Sequence, residues 1–162
     1  MTMPELPSCG RIGPKGHEYT LRVHYADTDA GGVVYHANYL VMAERARCEM
    51  LRALDYHPPA LTAPDGIAFA VRTCTLDFRR PARLDDAVTI FSRIKALGGA
   101  SFDIEQRICD DDLDLVTILV RLVCIDGQFK PVRVPAELRE ALYRNPTMLD
   151  TGPEIPAVQV KA

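Results

Sequence analysis

No stretch of about 18 consecutive apolar residues occurs in the chain, which removes a membrane-spanning helix from the expectations. No basic cluster followed by an apolar segment opens it, so a secretory leader is not expected and a cytoplasmic location is. The five cysteines, Cys9, Cys48, Cys74, Cys109 and Cys124, are odd in number and include no CxxC pair, which argues against a disulfide framework or a zinc ribbon and for reduced thiols. GxSxG, GxGxxG, the P-loop and HExxH are all missing, and with them the usual marks of a serine hydrolase, a nucleotide site and a zinc hydrolase. No metal and no cofactor is expected. A formal charge of -3 gives no overall attraction for nucleic acid or an anionic membrane, so an anionic ligand would need a local basic patch.

What is present suits one domain. The 162 residues are 48% hydrophobic, enough for a single sizeable core. Residues 1–16 mix prolines, glycines and single charges without period and read as a flexible lead-in; the folded domain is expected over 17–144, with 145–162 as a loosely held tail. From His17 to Tyr25, Tyr19, Leu21, Val23 and Tyr25 alternate with polar residues in the rhythm of a half-buried strand. Tyr39, Met42, Ala43, Ala46, Met50 and Leu54 then recur at three- and four-residue steps, which predicts one long helix stopped by His57-Pro58-Pro59. Ile67–Phe78, Val88–Ala96, Ala100–Ile108 and Leu115–Ile125 are strand-length, and Gly98-Gly99 and Asp110-Asp111-Asp112 are turn signals that favour an antiparallel meander. Pro135 opens a short helix to about Tyr143. The result is an α+β domain whose antiparallel sheet covers a single apolar helix; its open edges predict a homo-oligomer.

Between strand and helix lies Tyr25-Ala-Asp-Thr-Asp-Ala-Gly-Gly-Val-Val-Tyr-His36, an acidic turn whose glycines permit unusual backbone angles. On spacing alone Asp27 and Asp29 read as turn and capping residues, His36 as an ordinary residue at a helix start, and Tyr25 and Tyr39 as core aromatics. Glu44 reads as the partner of a neighbouring arginine. The chemistry available to such a turn is nonetheless specific: a carboxylate is ionised at neutral pH without an activating partner, and the bare N–H groups of a helix start carry roughly half a positive charge.

The run from Tyr25 to Glu49, with its Asp-x-Asp-x-x-Gly-x-Val-Tyr-His-x-x-Tyr pattern, resembles the hotdog-fold acyl-CoA thioesterases of the 4-hydroxybenzoyl-CoA thioesterase family, and within them the Tol-Pal-associated YbgC-like branch. Asp77–Asp86, Leu97–Phe102 and Lys130–Ala136 extend the match over about residues 17 to 143. The resemblance implies a five-stranded antiparallel sheet wrapped around one long central helix, paired into dimers or dimers of dimers. It implies hydrolysis of an acyl-CoA, with an acyl-carrier protein as a further partner and with Asp29 as nucleophile or general base. The backbone N–H of His36 would polarise the carbonyl, with Tyr25 beside them, and Asp27 would remain structural.

Coenzyme A carries phosphates, and Arg79, Arg80 and Arg83 form the densest basic cluster in the chain, with Arg93 or Lys95 as alternatives. Two rival functions share the fold: a hydratase or dehydratase acting on an acyl thioester, and a protein of the cell-envelope system that holds an acyl-CoA or acyl-carrier protein without turning it over.

Overall fold

The structure, a computed structural model, describes residues 8–150. Six strands form one antiparallel sheet: β1 Arg11–Gly13, β2 Gly16–Arg22, β3 Ile67–Phe78, β4 Ala87–Leu97, β5 Ser101–Asp110 and β6 Leu113–Asp126, in the spatial order β1-β2-β4-β5-β6-β3. Two helices, α1 Asn38–Ala53 and α2 Ala136–Arg144, complete the fold.

The predicted meander is β4-β5-β6, and its alternating burial gives one face to the core. Against that face α1 lays Tyr39, Met42, Ala43, Ala46 and Met50, which pack with Ile90, Ile94, Ile104, Ile108 and Ile118. Burying each large side chain contributes about 1.5–3 kcal/mol, so this seam is what fixes the helix on the sheet. Helix α1 ends at Ala53, five residues before the first proline of the predicted stop, Pro58. Asp55 takes the left-handed conformation (φ 54°) just past its end, a common way to terminate a helix before any proline is reached.

Three sequence expectations are corrected. The sheet has six strands rather than five, and besides the one long helix that the resemblance implies there is α2, which lies where Pro135 was expected to open a short helix. The added strand, β1, lies inside the segment read as a lead-in; it pairs Arg11 with Glu18 and Gly13 with Gly16, and three residues are too few to display a period. The strand expected to reach Tyr25 ends at Arg22, and residues Tyr25–Asp27 form a single 3-10 turn instead. Residues 145–150 are docked: Met148 is fully buried, Asp150 donates its N–H to the Ile94 carbonyl (2.8 Å), and Lys95 Nζ lies 2.5 Å from Asp150 Oδ2. The remainder of the expected tail lies outside the described residues.

Strand β3 is an edge strand that pairs only with β6. A bulge between Val71 and Thr73 adds one residue to it. Ile67, Phe69 and Val71 before the bulge therefore share a face with Cys74, Leu76 and Phe78 after it, and that face looks toward α1.

Candidate active site

The acidic turn folds as a small hairpin. Asp29 N–H donates to the Val33 carbonyl (2.9 Å), Thr28 bridges Val34, and Tyr35 N–H donates to the Asp27 carbonyl (2.9 Å). Gly32, at φ 78°, closes the tip in a conformation that a side chain would resist. Asp27 turns its carboxylate back on the chain, where Oδ2 accepts the His24 N–H (2.8 Å); this is the structural role expected of it. Asn38, the first residue of α1, donates through Nδ2 to the Asp27 carbonyl (2.9 Å) and so ties the hairpin to the helix.

Asp29 is exposed. Its Oδ1 accepts the Gly31 N–H (2.8 Å), while Oδ2 has no hydrogen-bond partner among the described residues. His36 sits where the hairpin becomes the helix. Its backbone N–H and that of Ala37 make no hydrogen bond among the described residues, and no side chain caps the helix or places a carboxylate in its first turn. The positive end of α1 is therefore uncompensated. The His36 ring leans on Tyr35, with centroids 4.5 Å apart. Tyr25 is 83% exposed in the isolated chain and packs on nothing in the core.

The arginine loop is stitched to this hairpin. Val34 N–H donates to the Ala82 carbonyl (2.9 Å), Val33 bridges Arg83, and Ala82 N–H donates to the buried hydroxyl of Tyr39 (2.9 Å), whose pKa burial raises. Tyr39 is thus a core aromatic with a positioning contact. Among the arginines, Arg79 is already engaged, with Nε 3.0 Å from Asp77 and Nη1 3.5 Å from Asp114. The exposed side chains of Arg80 and Arg83 have no partner among the described residues. Arg93 and Lys95 are held by the docked C-terminal residues: Arg93 Nη2 donates to the Leu149 carbonyl, and Lys95 pairs with Asp150.

The hairpin thus brings a carboxylate with one free oxygen, an uncapped helix start and a basic loop onto neighbouring segments. The family model of the thioesterase-like superfamily matches residues 23–142, which include all of them. The chain belongs to that superfamily.

Among its relatives, the acyl-CoA thioesterase YbgC of Haemophilus influenzae is 40% identical over 129 residues, covering 79% of this chain and 95% of that protein. The acyl-CoA thioester hydrolase YbgC of Escherichia coli is 43% identical over 122 residues, covering 74% and 90%. The crystal structure of a probable thioesterase from Bartonella henselae superposes with a TM-score of 0.70 at 41% identity, covering 74% of this chain and 98% of that one.

Two features of this thioesterase-like chain escaped the sequence reading. Beneath α1 lies a buried polar network. Arg47 donates to Gln106 Oε1 (2.7 Å), Gln106 Nε2 donates to the Ala43 carbonyl and to Ser92 Oγ (3.0 Å each), and Arg47 also binds Glu44, the ion pair expected for that glutamate. Gln106 and Ser92 fall in phase with Ile104 and Ile108, and with Ile90 and Ile94, so polar residues on an apolar face were the available sign. The second feature is a cleft. Helix α1 and strand β3 do not close on one another, and the gap holds cavities of about 390 and 280 Å³.

Proposed function

We propose that this thioester hydrolase cleaves acyl-CoA, with Asp29 as nucleophile or general base and the backbone N–H of His36 as electrophile. The observation that carries the reading is the placement of a free carboxylate oxygen and an unpartnered amide on one hairpin that runs into the bare end of α1. The thioester carbonyl accepts from His36 N–H, which stabilises the negative charge that develops on oxygen during addition. Asp29 Oδ2 either adds to the carbonyl carbon or takes a proton from an attacking water. Thiolate leaves, water supplies the second acid oxygen, and the products are a carboxylic acid and CoA. A single well-aimed oxyanion donor is worth about 10²–10³ in rate, and a thiolate is a good enough leaving group to need little more.

Arg80 and Arg83 are the unpaired cations beside this centre, and they meet the CoA phosphates; Arg79 joins them only if it releases Asp77 and Asp114. Tyr25 covers the reacting group. Strand β3, with Val71 52% and Phe78 51% exposed, is the edge through which two copies pair into a dimer, and dimers can associate further. The test is thiol release over short, long and aromatic acyl-CoAs. Asp29→Asn is expected to lower kcat by at least ~10²-fold, and activity within a few-fold of wild type would remove Asp29 from the mechanism. A change in acyl absorbance without released thiol would instead indicate a hydratase.

A further inference from the structure

We propose that the buried hydroxyl of Tyr39 sets the arginine loop in register with the amide end of α1, which makes Tyr39 a positioning residue for the phosphates of CoA. The inference rests on the thioesterase reading above and deepens it at the phosphate end of the same site.

The loop between β3 and β4, residues 79–86, has a backbone that is tied down and guanidinium groups at Arg80 and Arg83 that are free. At its start the N–H groups of Arg79 and Arg80 both donate to the Leu115 carbonyl, at 2.8 and 3.1 Å. At its end the Arg83 N–H donates to Asp86 Oδ2 (2.7 Å) and the Asp86 N–H to the Arg83 carbonyl (3.2 Å), which closes a turn. Asp85 takes the left-handed conformation there (φ 70°), a costly one for a residue with a side chain. It is held in place by its N–H bond to the Val23 carbonyl (3.1 Å) and by Arg22 Nη1, which donates to its carbonyl (2.7 Å).

These ties fix the two ends of the loop to the sheet. Its middle is fixed to the catalytic segments through Ala82, whose carbonyl accepts the Val34 N–H of the hairpin (2.9 Å) and whose N–H donates to Tyr39 Oη (2.9 Å). Among the described residues the bond to Tyr39 is the only hydrogen bond that joins α1 to the loop. Ala82 stands two residues after Arg80 and one before Arg83, and Tyr39 stands three after His36. One contact therefore relates the phosphate ligands to the amide that meets the thioester carbonyl.

The contact has no substitute. Ala82 is fully buried and Tyr39 is 3% exposed, so water cannot replace the hydroxyl as acceptor. The Tyr39 ring is held separately, edge to face against Phe78 with centroids 6.0 Å apart. Without the hydroxyl the ring would stay and the loop would have to move to satisfy its N–H, carrying Arg80 and Arg83 with it. The loss should be felt through the phosphates and not at the thioester.

The experiment compares wild type with Tyr39→Phe, which keeps the ring and deletes the acceptor. Thiol release is measured from acetyl-, octanoyl- and benzoyl-CoA and from the matching acyl-pantetheines, which lack the phosphates. Tyr39→Phe is expected to raise KM for the acyl-CoAs about tenfold with kcat within about twofold, and to leave the acyl-pantetheine constants within about twofold. In a protein that already carries Arg80→Ala and Arg83→Ala, the same change should alter KM by less than about twofold, because the contacts it positions are gone.

An unchanged KM for the acyl-CoAs, an equal rise for both kinds of substrate, a fall in kcat for both, or a full tenfold effect without the arginines overturns the proposal. A lowered urea midpoint without the split between substrates does so too, since it would give the hydroxyl a structural role only. If Tyr39→Phe does not fold, Ala82→Gly loosens the loop backbone instead and must raise KM for acyl-CoA several-fold while acyl-pantetheine kinetics stay as in wild type. Calorimetry with CoA itself separates the two readings. Absence of thiol release from every thioester defeats the hydrolase, whereas a Kd for CoA about tenfold weaker in Tyr39→Phe still supports the positioning role and an equal Kd removes it.

Discussion

Gly31 donates its backbone N–H to Asp29 Oδ1 at 2.8 Å, and a Cβ placed on Gly31 would lie 3.0 Å from that same oxygen. The turn both anchors the carboxylate and leaves no room for a side chain beside it. Gly31→Ala should therefore displace the Asp29 oxygen by a few tenths of an ångström and lower kcat by about tenfold, with little change in KM, since misplaced catalytic groups are costly even over short distances. Steady-state kinetics check this; kcat equal to wild type would mean that Asp29 needs no such anchoring.

Gly32 makes a contrasting variant. It has open space around the position of a Cβ but a positive φ of 78°, so Gly32→Ala should cost about 1 kcal/mol in a urea midpoint through backbone strain alone. Stability equal to wild type would show that the hairpin tip relaxes without loss.

Truncating the polar network should be far more damaging than its few hydrogen bonds suggest. Gln106→Leu removes the acceptor beneath Arg47 and leaves a buried guanidinium with Glu44 alone, an uncompensated change of about 3 kcal/mol. Urea unfolding measures it. The double change Arg47→Met with Gln106→Leu should recover part of the loss, and a double variant weaker than Gln106→Leu would contradict the account.

Acid should weaken the fold in two windows. His17 is fully buried, with Nε2 2.7 Å from the Cys9 carbonyl and Nδ1 unpartnered among the described residues, and burial lowers its pKa from the usual value of about 6.5. The unfolded chain then binds more protons than the native one, so this part of the stability is complete above pH ~6.5 and is lost as pH falls through the lower native value. Asp114 behaves likewise lower on the scale. Two hydrogen bonds from Arg107, at 3.0 and 2.6 Å, hold its carboxyl below the ordinary carboxylate range, so its contribution is present above pH ~4 and lost beneath it. Thermal midpoints from pH 8 to 3 should show His17→Phe flattening the upper window and Asp114→Asn the lower.

The phosphate contacts admit a substrate-based check. Arg80→Ala and Arg83→Ala should each raise KM for acyl-CoA several-fold, more at low salt than at high, while KM for the matching acyl-pantetheine, which lacks the phosphates, stays as in wild type. Equal effects on both substrates would detach these arginines from phosphate recognition.

How far the sequence announced this molecule can be judged residue by residue. The alternation in β5 and the three-to-four spacing of Met42, Ala46 and Met50 report burial of one face, and burial is what periodicity encodes. Strand β1 and the docked Met148 depend on one or two contacts with distant residues, which leave no repeat in the chain. The turn at 25–36 was legible in outline because Asp and Gly are chosen there for local geometry. Which oxygen of Asp29 is left free is decided by Gly31 N–H, and no spacing rule expresses that. The cleft was invisible for another reason: α1 and β3 each carry a proper apolar face, and nothing in either sequence says that the two faces stop short of one another.

The extra residue between Val71 and Thr73 makes the length of this strand a matter of parity. Deleting Arg72 would remove the bulge and leave plain alternation, with Val71, Cys74, Leu76 and Phe78 still facing inward. Deleting Arg72 together with Thr73 would instead turn Cys74, Leu76 and Phe78 outward and bring Thr75 and Asp77 inward, exchanging an oily wall for a wet one along half the strand. A single-codon loss at this place should thus be well borne and a double one should not.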